Sequence, residues 1–360
     1  MAKIDSLFRA MVEKGASDLH LSPDNPPMLR INGELHPLGQ KHIDHEHNKL
    51  LLYEILSDAQ RTNFEATNDL DFAYSVDELG VRFRANIFID RKGIGGVFRS
   101  IPSRILNAEE LGLPKVMTEN FCRLHKGLVL ITGAGGSGKS TTLAAMIDYV
   151  NSHRADHILT IEDPIEFVHW SKKGLVNQRE VGKNTKSFAA ALRAALREDP
   201  DVILVGEMRD LETIELAITA AETGHLVFGT LHSSSAPKTI DRLIDAFPTE
   251  AQEQIRAMLG DSLKGVVAQQ LLKKKGGGRI AVQEILVGTS AVANLLREGK
   301  TFQIPSIMQT ARREGMVTMD QAIEEKLAAG LIEPQEAYVK AHDKNRFKRF
   351  LESEAATPAV

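Results

Sequence analysis

The amino-acid sequence predicts an α/β protein: a domain with a parallel β-sheet, preceded by a smaller α+β domain with an antiparallel sheet. From Lys126 onward, apolar runs of strand length alternate with helical patterns, which is typical of a parallel sheet covered by helices on both faces. Before residue 102, short strand-like runs follow one another and include a hairpin signal. The length of 360 residues is ample for two domains of ordinary size.

The composition limits the class of protein. Apolar residues make up 42% and charged residues 26%, which is the balance of a globular chain. The 44 lysines and arginines against 48 acids leave a formal charge of −4. This charge weighs against nucleic acid as the main partner, because neutralising phosphates needs a basic face. Cys122 is the only cysteine, which excludes a disulfide framework within the chain and fits a reducing compartment.

The start of the sequence does not resemble a targeting segment. Its first fifteen residues carry five charges, so they contain no apolar signal core. The longest apolar runs, at 128–131 and 202–205, have the length of strands and fall far short of the roughly 20 residues of a membrane span. We therefore expect a cytoplasmic protein that contacts a membrane only through a partner.

The N-terminal domain begins with an amphipathic helix, because apolar residues recur at helical spacing between Ile4 and Val12 before Gly15. The Asn32-Gly33 pair between two apolar runs is a strong hairpin signal. The other predicted elements are strands at 19–21, 28–31, 34–38, 69–75, 81–91 and 95–101 and a helix at 50–56. Pro102 and residues 107–114 then indicate a domain boundary.

The second domain is expected to contain strands at 127–132, 157–161, 201–205 and 225–231 and helices at 138–150, 186–197 and 211–222. Residues 280–287 are predicted to add an edge strand after a glycine turn. Helical patterns follow at 290–297, 306–313, 319–328, 334–341 and 344–351, and we expect a frayed end at 355–360. The predicted division is an N-terminal domain at 1–102, a linker at 103–115, the parallel-sheet domain at 116–288 and a helical region at 289–360.

A phosphate-binding loop is the strongest motif in the sequence. Residues 133–140 read Gly-Ala-Gly-Gly-Ser-Gly-Lys-Ser, directly after a predicted strand and at the start of a helix. The loop's backbone N–H groups and the helix N-terminus attract phosphate oxygens. Lys139 is expected to reach the β- and γ-phosphates, and the Ser140 hydroxyl to ligate Mg²⁺. The predicted nucleotide-binding residues are Gly133, Ala134, Gly135, Gly136, Ser137, Gly138, Lys139, Ser140 and Thr141.

Acidic residues follow two further strands. Glu207 comes after the apolar run 202–205, and the carboxyl end of such a strand lies beside the phosphate loop, so we expect Glu207 to hold Mg²⁺ through water. Glu162 ends another strand and is the candidate general base for the attacking water. It is accompanied by Asp163 and Glu166, and acids this close repel one another unless a cation or substrate offsets them.

Histidines lie at both ends of the strand 225–231. In one interpretation His225 and His232 contact or sense the γ-phosphate. In the other, each is a polar residue with its own structural hydrogen bonds. The residues alone leave both interpretations open.

These motifs together resemble the secretion-ATPase superfamily. The segments GAGGSGKST (133–141), TIEDPIEF (160–167), DVILVGEMRD (201–210) and ETGHLVFGTLH (222–232) are similar to its Walker A, Asp box, Walker B and His box, in that order. The segment GASDLHLSPDNPPMLRINGEL (15–35) resembles the opening of the retraction ATPases of type IV pili, the PilT and PilU group. The segments NQREVG (177–182) and VVAQQLL (266–272) extend the resemblance over nearly the whole chain.

The resemblance implies a PAS-like N-terminal domain, a RecA-like ATPase domain and a hexameric ring that binds ATP between neighbouring subunits. It implies that Glu162 is the catalytic glutamate, that Glu207 is the Walker B acid and that both histidines are His-box residues. Arg84 and Arg99 of the N-terminal sheet are the arginines expected to complete the site by stabilising charge on the phosphoryl oxygens. The implied activity is Mg²⁺-dependent ATP hydrolysis that retracts pili through an inner-membrane platform protein, as in twitching motility, with related pilus ATPases as further partners.

The sequence departs from the retraction pattern at two places. Ala134 and Gly135 replace the proline and threonine of the usual loop, which removes no phosphate ligand. Residues 291–298 resemble the retraction signature A-I-R-N-L-I-R-E, but Ala293 replaces its first arginine. This second departure leaves open a PilU-like accessory ATPase in place of a retraction motor. A type II or type IV secretion ATPase is the nearest alternative within the class, and a RecA-like nucleic-acid translocase is the alternative of another class. An adaptor that binds ATP with little hydrolysis is the third.

Overall fold

A computed structural model describes residues 2–31, 33–101 and 104–355 of the chain, with side chains as far as residue 351. Asn32 of the predicted hairpin, Pro102 of the predicted boundary and residues 356–360 of the predicted frayed end lie outside the described residues. The chain divides into two compact units. The first comprises Met1–Arg104 and Pro164–Val168, and the second comprises Ile105–Asp163 and His169–Val360. The domain boundaries at 102, 115 and 288 stay a prediction.

The first unit contains an antiparallel sheet in the strand order β3-β2-β1-β6-β5-β4. Phe8 of its first helix stacks on Phe83 with ring centroids 4.3 Å apart and meets Phe98 edge-on at 5.0 Å. Burial of these aromatic rings ties the helix to one face of the sheet. In chain order the elements are α1 (Asp5–Glu13), β1 (Asp18–Leu21), β2 (Met28–Ile31), β3 (Glu34–Pro37), α2 (His45–Tyr53), α3 (Asp58–Thr67), β4 (Asp69–Val76), β5 (Val81–Asp90) and β6 (Gly93–Ile101).

The helical part of this unit differs from the prediction. The helix predicted at 50–56 corresponds to α2, which begins earlier at His45 and ends at Tyr53, and the separate helix α3 is missing from the prediction. Phe64 is the buried residue of α3, so this helix lacks the apolar periodicity that predicts helices. Its start carries a capping box, in which Ser57 and Gln60 bond to each other's backbone N–H. That pattern is the signal from which α3 was predictable.

The second unit is built on a sheet in the order β13-β12-β7-β11-β10-β8-β9, parallel except for the edge strand β13. Its first part contains β7 (Gly127–Thr132), α4 (Lys139–His153), β8 (His157–Glu162), β9 (Leu175–Glu180), α5 (Phe188–Ala195), β10 (Val202–Val205), α6 (Leu211–Glu222) and β11 (Leu226–Leu231). There follow α7 (Ala236–Asp245), α8 (Thr249–Ser262), β12 (Leu263–Lys273) and β13 (Arg279–Val287). The predicted parallel sheet is confirmed.

The helical end of the chain consists of α9 (Ser290–Arg297), α10 (Ile304–Thr310), α11 (Met319–Ala328), α12 (Pro334–Lys340) and α13 (Lys344–Ala355). Met319, Ile323 and Phe347 of these helices pack against Leu272 and Val282 of the sheet. This apolar cluster binds the last helices to the β12–β13 edge. Within the described ranges, no helix has both the length and the apolar character needed to cross a membrane.

The elements β9, β12, α7 and α8 are missing from the predicted set. The edge strand β9 carries polar residues in most positions, and its burial is only partial. The strand β12 is buried at most positions but contains the glutamines Gln269 and Gln270, which mask its apolar character. In both strands, long-range pairing with a parallel neighbour overrides the local sequence signal.

Candidate nucleotide site

The predicted loop and acids lie at the ends of neighbouring parallel strands. The strands β7, β11, β10 and β8 are consecutive neighbours in the sheet. Thr132 at the end of β7 is level with Leu231, and Val205 at the end of β10 is level with Ile161 of β8. The phosphate loop, His232, Glu207 and Glu162 therefore follow strand ends at one edge of the sheet. Such an edge, where the carboxyl ends of the strands meet, is where open α/β sheets bind ligands.

The backbone of the phosphate loop requires glycine at several positions. Gly133, Gly136 and Gly138 have φ of +149°, +74° and +88°, values that side chains rarely adopt. A Cβ on Gly133 would also lie 2.4 Å from the carbonyl oxygen of Gln269. Gly138 caps the N-terminus of α4, so the unpaired N–H groups of that helix begin directly after the loop. This arrangement is suited to an anion.

The ammonium group of Lys139 lies against the loop. Its Nζ atom donates to the carbonyl oxygens of Gly133 at 2.8 Å and Ala134 at 3.0 Å. Ser140 follows on the first turn of α4 and is exposed, as are residues 134–136. A positive charge is thus positioned beside exposed loop backbone, where phosphate oxygens can approach it.

A buried network of side-chain amides supports the phosphate loop, and the sequence analysis does not predict this network. The side-chain amide of Gln269 donates to the carbonyl oxygen of Ser137 at 2.8 Å. Its Oε1 atom accepts from the Thr142 hydroxyl at 2.8 Å and from the side-chain amide of Gln283 at 3.3 Å. Gln269 is 1% exposed. The signal for this role is a run of polar amides, in VVAQQLL, inside an otherwise apolar strand.

Glu207 is surrounded by positive groups. Its carboxylate accepts from Arg209 at 2.6 Å and lies 3.2 Å from Nε2 of His232. Burial works against ionisation, but the hydrogen bond and charge of Arg209, with the charges of His232 and Lys139, hold the pKa of Glu207 below its ordinary value. Glu207 is therefore ionised at neutral pH.

Glu162 ends β8 and is held by its neighbours. Its Oε1 atom accepts from the Thr160 hydroxyl at 2.6 Å and from the side-chain amide of Gln178 at 3.2 Å. Gly206, which precedes Glu207, packs so closely that a Cβ there would lie 3.3 Å from the Cα of Glu162. The backbone before Glu207 thus lies directly beside Glu162.

The two histidines, His225 and His232, lie beyond opposite ends of β11. His225 precedes β11 at the opposite edge of the sheet, where its carbonyl oxygen accepts from Gly127 at the start of β7. Its ring nitrogen Nδ1 is 3.0 Å from the carbonyl oxygen of Ala220. The six residues of β11 span about 20 Å at roughly 3.3 Å per residue. The structure therefore does not bring His225 to the phosphate loop of its own chain, and a role for His225 in catalysis stays a prediction.

Arg84 and Arg99 lie in the sheet of the first unit. They are cross-strand neighbours on β5 and β6, and both side chains are exposed. Burial opposes ionisation of Asp18, but hydrogen bonds from the Ser17 hydroxyl at 2.7 Å and from Nε of Arg99 at 2.8 Å lower its pKa. The Oδ2 atom of Asp18 is 4.0 Å from Arg30. The outer face of this sheet thus presents a cluster of arginines.

A glycine-rich loop that follows a strand of a parallel sheet, with carboxylates at the ends of adjacent strands, defines the class of P-loop ATPases with a RecA-like core. The family described as Type II/IV secretion system protein matches residues 1–339. The chain is 53% identical over 338 residues to the Pseudomonas aeruginosa protein named Type IV pilus retractation ATPase PilT, covering 94% of this chain and 98% of that one. It is 39% identical over 344 residues to Type IV pilus ATPase PilU of the same organism, covering 95% of this chain and 90% of that one.

A solved structure shows the same fold. The crystal structure of the pilus retraction motor PilT with bound ADP superposes with a TM-score of 0.88 at 47% identity, covering 97% of this chain and 100% of that one. The chain belongs to the Type II/IV secretion system protein family and, within it, to the group of pilus ATPases that includes PilT and PilU.

Proposed function

We propose that this protein hydrolyses ATP in a Mg²⁺-dependent reaction and uses the cycle to retract type IV pili. The observation that carries the proposal is the common edge of the sheet, where the phosphate loop, Glu207 and Glu162 follow neighbouring strands. The similarity to PilT over nearly the full length of both chains supports the motor activity.

The loop 133–141 is proposed to bind the triphosphate. Its backbone N–H groups and the N-terminus of α4 hold phosphate oxygens, and Lys139 adds a positive charge beside them. The Ser140 hydroxyl and the ionised Glu207 carboxylate, the latter through water, are the oxygen ligands proposed for Mg²⁺. This donor set fits the ion, because Mg²⁺ prefers hydroxyl, carboxylate and water oxygens. When bound, Mg²⁺ neutralises negative charge on the phosphates.

Hydrolysis requires a proton acceptor for the attacking water. Glu162 is proposed as that general base, because it is the last residue of β8, and Glu207 follows the neighbouring strand β10. His232, whose ring meets Glu207 at 3.2 Å, is proposed to respond to the charge at the γ-phosphate. No role in this chain's own site is proposed for His225.

A hexameric ring is part of the proposal. The exposed Arg84 and Arg99 of one subunit would complete the ATP site of a neighbour by offsetting charge on the transferred phosphoryl group. Force would then pass to a platform protein of the inner membrane, and related pilus ATPases would be further partners. The proposed location is the cytoplasmic side of that membrane, and no nucleic acid takes part.

An accessory, PilU-like role is the second candidate, and Ala293 is the observation that favours it. Ala293 lies on α9, where the retraction signature of the family carries an arginine. The higher identity to PilT than to PilU, 53% against 39%, favours the motor. The phosphate-release rate of the isolated protein separates the two, because an accessory protein would hydrolyse little ATP without a true motor.

The test combines pilus counts with ATPase rates. Deleting the gene should leave excess static surface pili, and complementation with Lys139→Ala should fail to restore retraction because nucleotide binding is lost. Lys126→Ala is the matched control, since Lys126 is an exposed lysine at the opposite edge of the same sheet. Loss of all pili on deletion would point to assembly instead, and normal ATP binding by the Lys139→Ala protein would contradict the site.

A further inference from the structure

Glu162 is held by side chains from two strands. Thr160, two residues earlier on β8, and Gln178 on β9 are level with each other in the parallel pair, and both donate to the same oxygen, Oε1 of Glu162. Side chains two residues apart on a strand share a face, so Thr160, Glu162 and Gln178 lie on one side of the sheet.

The orientation of the Gln178 amide follows from its other hydrogen bond. Its Oε1 atom accepts from the backbone N–H of His169 at 2.7 Å. A backbone N–H can only donate, so the amide oxygen must face His169 and the NH₂ group must face Glu162. The carboxylate of Glu162 in turn can only accept. The amide is thereby fixed as a donor to Glu162.

Two donors to one carboxylate oxygen restrict the geometry of Glu162. They limit rotation of the carboxylate, which keeps it in one orientation relative to the strand end. A general base needs this alignment, because it must face the attacking water before it can take a proton from it.

We propose that Gln178 is a positioning residue for ATP hydrolysis, which holds the Glu162 carboxylate in one orientation at the end of β8. This inference rests on the proposed role of Glu162 as the general base. Gln178 acts through Glu162 and does not itself touch the nucleotide.

The position of Gln178 in the sheet separates this role from nucleotide binding. The strand β9 is the outermost strand, and β8, β10 and β11 lie between it and β7, which leads into the phosphate loop. Loss of the Gln178 amide should therefore change turnover and leave the affinity for ADP as it is.

The first variant is Gln178→Leu, which removes the donor and keeps similar bulk. We expect kcat to fall by about 10- to 100-fold, within the contribution of general-base catalysis, while the Kd for a fluorescent ADP analogue changes less than about twofold. Asn177→Leu is the matched control, because Asn177 is adjacent on β9, faces the other side and bonds to the ring of His157 at 2.9 Å. Its kcat should equal that of the unaltered protein.

The second variant, Gln178→Glu, keeps the shape and introduces a like charge beside Glu162. Two adjacent carboxyls raise the apparent pKa at which the pair loses its last proton, so the acid limb of the kcat–pH profile should move up by about one pH unit. Asn177→Asp adds the same charge on the opposite face and should leave the limb in place. A purely structural role of Gln178 would not produce this shift.

A double-mutant comparison decides whether Gln178 acts through Glu162. In a Glu162→Gln background, Gln178→Leu should cause no further loss of kcat, because the general base through which Gln178 acts is already absent. Full turnover by Gln178→Leu alone, or a loss of ADP affinity as large as its loss of kcat, would overturn the inference and leave the proposed function intact. Full turnover by Glu162→Gln alone would instead show that Glu162 is not the general base. That result would contradict both this part of the proposed function and the inference about Gln178.

Discussion

The side-chain amide of Gln269 donates a 2.8 Å hydrogen bond to the carbonyl oxygen of Ser137 in the phosphate loop. The two residues are 132 positions apart in the chain, and both are buried. The bond joins β12 to the loop that follows β7. It holds the backbone of the loop in the shape that presents N–H groups to phosphate.

We predict that Gln269→Leu weakens ADP binding by about tenfold. The change leaves the Ser137 carbonyl and the Thr142 hydroxyl without their partner, and each unsatisfied buried polar group costs about 1–3 kcal/mol. Titration with a fluorescent ADP analogue measures the effect. Gln270→Leu, on the other face of the same strand, is the control and should bind ADP normally. Unchanged affinity in the Gln269 variant would show that the loop does not depend on this support.

We predict that Glu162→Gln keeps nucleotide affinity and loses at least about 100-fold in turnover, since general-base catalysis contributes about 10²–10⁴-fold. The amide has nearly the same shape as the carboxylate but cannot accept a proton from water. Phosphate release under saturating ATP measures the loss, and Glu215→Gln on the exposed face of α6 serves as the control. A near-normal rate in the first variant would contradict the role of Glu162 as base.

A third prediction concerns Glu284, which accepts from the first N–H groups of two helices, Ala236 of α7 at 2.8 Å and Met319 of α11 at 3.2 Å. Burial raises the pKa of Glu284, although these hydrogen bonds oppose the shift. The folded protein therefore binds a proton at this site at a higher pH than the unfolded chain does. The stability contributed by this site rises as pH falls from neutral through the raised folded pKa.

Glu284→Gln removes that titration. The unfolding temperature of the unaltered protein minus that of the variant should therefore increase as the pH is lowered from 7 towards 5. Thermal unfolding at several pH values provides the measurement, with Glu250→Gln at the exposed start of α8 as the control. A difference between protein and variant that stays constant with pH would contradict the prediction.

Much of the fold was predictable, because contiguous residues determine it. The strand β7, the helix α6 and the helix α11 begin and end where the sequence predicts. Apolar runs and helical periodicity are local signals, and in these elements burial follows them. The strand β9 was not predictable in this way, since its polar residues form a strand only because β8 offers a parallel partner.

For the nucleotide site, the sequence predicted the order of the motifs along the chain but not which side chains are neighbours in space. His225 is one example. Its place in the His box suggests contact with the γ-phosphate, but the six residues of β11 separate it from the phosphate loop of its own chain. Gln178 and Gln269 illustrate the converse, since each is an ordinary amide in the sequence and becomes significant only beside Glu162 or Ser137.

The phosphate loop, the acids at the strand ends and the alternation of strands with helices could be read from the sequence, because each depends on residues adjacent in the chain. Which side chains hold those groups in place followed only from the folded structure, because hydrogen-bond partners such as Gln178 and Gln269 lie on other strands. Their contacts arise when the strands pair, and nothing in the local sequence of either partner specifies the other.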